Sequence, residues 1–240
     1  DKPGIEEETF YQQYIRTLIG IMARIAILPD PSTSHGLEPL LKIVSENLAE
    51  QMNIMTRPNS NSNPVNHAAK DTATLFMLAG IVTPILSAST RFASSFEGVR
   101  QFIKWAMETV TTCNQNRLYT QGPQFVELEK QALTFLAVMS PWFRSLTAMA
   151  NSTSKPAGFE RLSSEFVDAL ISEILTQALT TLDSRISPPP ATLMFAAIDV
   201  IDGFGSVVQL ERFHELPPVK GLYSNLHDLA SSLPLQIRCR

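Results

Sequence analysis

Apolar positions recur along this chain at spacings of three and four residues, in stretches about twenty residues long, with polar breaks rich in Pro, Ser and Asn between them. That period belongs to amphipathic helices. The first is predicted over about Ile5 to Ile27, with Glu6, Glu7 and Glu8 in its first turn and Tyr11, Ile15, Leu18, Met22 and Ile25 on one face. Acids there suit the positive end of the helix dipole. Pro29 and Pro31 stop it. A second helix, about Leu37 to Met55, turns Leu40, Leu41, Val44, Leu48 and Met52 inward.

Arg57 to Pro64 reads as a loop, because Pro-Asn-Ser-Asn-Ser-Asn-Pro supplies turn formers and no apolar face. The third helix follows over about Asn66 to Ser87, with a nearly unbroken apolar segment from Ala73 to Ala88. That segment is too short to span a membrane and carries Thr83 and Pro84, so it predicts a helix enclosed on most sides and kinked or ended at Pro84. Ser94 and Glu97 form an S-x-x-E capping pattern, which starts the fourth helix there. Phe96, Val99, Ile103, Ala106 and Val110 mark its apolar face; Arg100, Gln101, Lys104 and Glu108 mark its wet face.

Gly122-Pro123 opens a fifth helix to about Ala150, broken or bent at Ser140-Pro141. Asn151 to Gly158 is polar and reads as a loop, and its Asn-Ser-Thr sequon is taken as a loop signal only. The sixth helix, Phe159 to Leu182, carries Leu162, Phe166, Leu170, Ile174 and Ala178 on one face. Ser187 to Pro190 is a stiff spacer. A seventh helix from about Ala191 continues past Gly203 and Gly205 with a kink, and an eighth runs from about Val219 to Leu233 after Pro217-Pro218.

Alternating β-branched runs bounded by hairpin turns do not occur, so the expected fold class is all-α: about eight long helices in antiparallel pairs, over residues 1–240 as a single domain. The predicted helix starts fall about thirty residues apart. The helix lengths, Pro-marked loops and lack of strands resemble a segment of a HEAT-type or armadillo-like α-solenoid, the irregular repeats of the importin-β and exportin class in particular. That resemblance implies a protein-binding scaffold within a transport receptor or a large regulatory complex. A compact all-α bundle with a sensing or regulatory role is the alternative architecture.

Composition narrows the chemistry. A hydrophobic fraction of 44% excludes wholesale disorder. The net charge of -4 gives no electrostatic case for nucleic acid. Charge is uneven: residues 1–56 carry 4 basic and 8 acidic groups, residues 57–158 carry 9 and 5, and residues 159–240 carry 6 and 10, but the basic residues are scattered singly. Cys113 and Cys239, the only cysteines, make neither a disulfide framework nor a C-x-x-C pair, which suits a reducing intracellular setting, cytoplasmic or nuclear. The terminal sequences suggest a piece cut from a longer protein.

Reactive residues are dispersed. His35, His67, His214 and His227 do not pair at helical spacing, so no metal site is expected. Asp199 and Asp202 share a helix face and could hold Mg²⁺ in an all-α enzyme, but a second acidic cluster is missing and two solvated acids are the plainer expectation. Gly203-Phe204-Gly205 lacks the strand and the Lys-Ser or Lys-Thr of a phosphate loop. No catalytic residue, cofactor or small-molecule substrate is therefore predicted. Trp105 and Trp142 are the candidate anchors for a protein partner, with core packing as the competing role.

Overall fold

A computed structural model of the chain describes residues 13–14, 17–21, 37–56, 62–83, 89–155, 159–182, 189–208 and 210–232. Those residues are helical apart from short connections, and no strand occurs among them. The helices are α1 (Leu37–Thr56), α2 (Ser62–Val82), α3 (Ser89–Asn116), α4 (Pro123–Val138), α5 (Ser140–Ala150), α6 (Ser164–Leu182), α7 (Ala191–Gly205), α8 (Leu210–Glu215) and α9 (Pro217–Ser232). A 3-10 turn, Leu118–Thr120, links α3 to α4. Residues 17–21 are also helical.

The all-α fold class read from the sequence is what the chain adopts. Several boundaries differ from the periodicity. Helix α2 begins at Ser62, inside the segment expected to be loop, since Pro64 in a first turn needs no backbone donor. Helix α3 begins at Ser89, so Ser94 and Glu97 lie inside it and form no capping box; the Glu97 carboxylate instead accepts from Arg100 Nε at 3.1 Å. The predicted fifth helix is indeed broken, at Met139, with Pro141 in the first turn of α5. Helix α6 starts five residues later than predicted, at Ser164. Its cap is Ser163, whose Oγ accepts from the Phe166 N–H at 3.2 Å. Helix α7 takes in Gly203 and ends at Gly205. Most of the first predicted helix, the Pro84 kink and the first half of the proline spacer lie outside the described residues.

Packing follows a rule. If α4 and α5 are taken as one broken rod and the six-residue α8 is passed over, each extensive contact joins rods one or two apart in the chain. Sequential partners pack face to face, as α1 on α2, α3 on α4 and α6 on α7. Rods two apart lie side by side: α2, α4 and α7 form one row, and α1, α3, α6 and α9 form the other.

The rods α2, α4 and α7 meet in parallel, as do α1, α3 and α6. Near the starts of α2 and α4, Gln124 Nε2 donates to Asn66 Oδ1 at 2.8 Å, and at their far ends Gly80 lies beside Phe135 and Val138. The ends of α4 and α7 meet likewise, where Gly203 abuts Ala137. In the second row, Thr109 Oγ1 approaches Met52 Sδ at 3.5 Å, and Thr111 Oγ1 donates to Gln177 Oε1 at 2.8 Å. These bonds span 57, 58 and 66 residues, one helix pair each.

Helix α4 lies at the centre, touching α2, α3 and α7, and its Phe125, Leu128, Ala132, Leu133, Phe135 and Leu136 are all buried. A chain of rings ties the pairs together: Phe96 stacks on Trp142 (centroids 5.7 Å apart), Trp142 meets Phe143 edge-on (5.2 Å), and Phe143 meets Phe204 (5.0 Å).

The face assignments mostly agree with the periodicity. Val44, Leu48, Val99, Ile103, Ala106, Val110, Ile174 and Ala178 are buried. Two do not. Phe166 is 41% exposed, because Val167, Ile171, Ile174, Leu175 and Ala178 form the stripe of α6 that meets its neighbours. Leu18 is 38% exposed, and Ile19 beside it is the enclosed residue.

Candidate functional site

The most unusual chemistry lies where α3, α4 and α6 meet. Glu129, in the middle of the apolar stripe of α4, is completely buried. One of its oxygens, Oε1, accepts a hydrogen bond from Thr181 Oγ1 at 3.3 Å; the other, Oε2, has no partner. Thr181, also fully buried, in turn accepts from Asn114 Nδ2 at 2.9 Å. One turn before, Gln177 accepts from Thr111 on α3. A polar seam thus runs between the last turns of α3 and α6 and ends on a carboxyl enclosed by apolar side chains.

Burial disfavours the charged form of such a group. It pushes the Glu129 carboxyl up to about 7, against a smaller opposing effect of the Thr181 hydroxyl. Cys113, buried on α3, is driven the same way: burial first, then the nearby Glu129 charge, raise its thiol well above the usual value. A thiol held protonated is a poor nucleophile. The pair can therefore hold a proton, but it offers no activated nucleophile.

Beside the seam, Lys104, Met107, Glu108, Thr111, Thr112 and Glu173 line an open groove of about 240 Å³ between α3 and α6. Lys104 and Glu108 make an exposed ion pair across one turn at 3.8 Å. Thr111 belongs to both groove and seam, so the polar path inward starts at the surface.

The residues singled out from the sequence are not brought together. Asp199 and Asp202 sit exposed on α7. Among the described residues no three His, Cys, Asp or Glu side chains gather as cation ligands. His67 is exposed on α2, and the His214 ring lies 5.2 Å from that of Tyr223. Trp105 is half-buried on α3, its ring 6.0 Å from Phe102. Trp142 is completely enclosed, so a partner could not reach it without opening the core. Among the described residues no helix is long and apolar enough to cross a membrane.

Sequence reasoning passed over Glu129 because Glu127 and Lys130 beside it give the segment the look of a solvated face. The signal was positional. Glu129 stands four residues from both Phe125 and Leu133, on the stripe that those two define. Compared with known proteins, the chain matches no family model, and no curated protein or solved structure is significantly similar to it.

Proposed function

We propose that this chain is a non-catalytic scaffold bound by other proteins, a segment of a helical-repeat array of the HEAT or armadillo kind. One observation carries the reading: two rows of parallel rods, with neighbours in a row one helix pair apart in sequence. Stacking of that kind makes an extended surface, and contacts spread over it need no reactive pocket. The row that holds α1 and α3 carries short-range ion pairs (Lys42–Glu46, Arg100–Glu97, Lys104–Glu108), the pattern of a solvated helix face. Trp105, half open on α3, is the anchor we assign to a partner. The setting we propose is intracellular, within a transport receptor or a large regulatory complex.

The test is affinity capture of a partner, followed by binding measurements with Trp105→Ala. The reading expects at least about a tenfold loss of affinity with helix content unchanged, as for an interface aromatic. A partner held equally by the wild type, by Trp105→Ala and by charge reversals along α3 and α6 would overturn it. A second reading, a compact sensing or regulatory domain, is favoured by the buried, titratable Glu129.

A further inference from the structure

We propose that Glu129 is a proton-controlled latch between successive helix pairs: with its carboxyl protonated, α6 closes on α3 and α4, and ionisation opens the seam between them. The inference does not depend on the scaffold reading. It rests first on geometry. A carboxyl at 0% exposure, bonded through only one oxygen, stands at the meeting of three helices. A carboxylate there has no counterion among the described residues, and such a charge is costly to bury. A neutral acid can stay.

Among the described residues, the groups around it do not supply a cation. Helix α3 presents the Cys113 thiol and the neutral Asn114; α6 presents the Thr181 hydroxyl. On α2, His67, Lys70 and Asp71 are exposed, as are Asp199 and Asp202 on α7 and Arg144 on α5. The 3-10 turn packed on α4 contributes the buried Tyr119, preceded by the exposed Arg117. On α4 itself, Lys130 is engaged by Glu127 at 3.4 Å. Among the described residues, the influences that shift Glu129 are burial and the Thr181 hydroxyl.

A polar path from the surface to the carboxyl is also present. Thr111 lines the surface groove and bonds to Gln177, and one turn further in Asn114 bonds to Thr181, which reaches Glu129. Each bond except the last joins α3 to α6, so parting these two helices exposes the carboxyl to water.

The direction follows from linkage. The closed carboxyl titrates at about 7 and the opened one near its ordinary value of 4.5. Closure is therefore tightest below about pH 4.5, weakens as pH rises through about 7, and levels off above. Between pH 6 and pH 8 the opening equilibrium should shift about tenfold.

Amide hydrogen exchange on the whole chain, corrected for intrinsic rates, reads this directly. We expect amides in the last turns of α3 and α6 to open about tenfold more at pH 8 than at pH 6. In Glu129→Gln, which keeps the shape without the charge, opening should be independent of pH. Identical pH dependence in the two proteins, or none in the wild type, would overturn the latch. Carbon-13 NMR titration of the wild-type Glu129 carboxyl decides the matter even if the variant fails to fold: a midpoint near 7 is expected, and one near 4.5 would contradict it.

Discussion

At the scale of single residues, burial and geometry decide which side chains matter. Ile103 is fully enclosed on α3, so Ile103→Ala should cost about 2–5 kcal/mol in a denaturant unfolding measurement. Phe166 has the same apolar character but is 41% exposed; Phe166→Ala should cost less than about 1 kcal/mol in the same assay. Equal costs would mean that the stripe of α6 is misassigned. At Gly203 an added Cβ would lie 3.2 Å from the Ala137 carbonyl oxygen, so α7 must shift against α4 to admit it. Gly203→Ala should therefore destabilise by about 1–3 kcal/mol, although alanine is the better helix former. Arg117 holds a left-handed backbone (φ 49°) between α3 and the 3-10 turn, so glycine should be tolerated there and valine should not. The Glu129 carboxyl makes global stability fall with pH as well: the shift from 4.5 to about 7 corresponds to about 3 kcal/mol, present below pH 4.5 and lost as pH passes 7.

At the scale of elements, periodicity announced the helices and tertiary packing chose their faces. On α6 the positions 166, 170, 174 and 178 make one apolar line and 167, 171, 174, 175 and 178 another. Nothing local separates the two. Burial against α3, α5 and α7 selects the second. The S-x-x-E pattern at Ser94 was a false start, because its Ser lies within a helix that begins a turn earlier. By contrast, Pro141 carried enough local information to place a break, since proline cannot donate within a helix. Glu129 was hidden by its charged neighbours, and only its register with Phe125 and Leu133 pointed inward. Helix α8 is fastened to α6 by Arg212, whose Nε donates to Asp168 Oδ2 at 2.8 Å, with both side chains about a third exposed or less. A double-mutant cycle between Arg212→Ala and Asp168→Ala should give a coupling of about 0.5–1.5 kcal/mol. Additive effects would show that the pair does not hold α8 in place.

At the scale of the whole molecule, the interval of one helix pair is the organising quantity. It turns a linear run of rods into two rows, and it leaves outer flanks that we propose as the surface other proteins meet. Helix lengths made that architecture visible as an expectation. The parallel registration was not legible, since it depends on contacts 57 to 67 residues apart such as Asn66 with Gln124 and Asn114 with Thr181. Site-directed disulfide trapping tests it most directly, in a Cys239→Ser background where the buried Cys113 stays unreactive. With parallel rows, cysteines at 66 and 124, which join the two helix starts, should cross-link readily, and cysteines at 66 and 138 should not. Cross-linking of the 66–138 pair in place of the 66–124 pair would mean that neighbouring rods run antiparallel, and would contradict the account.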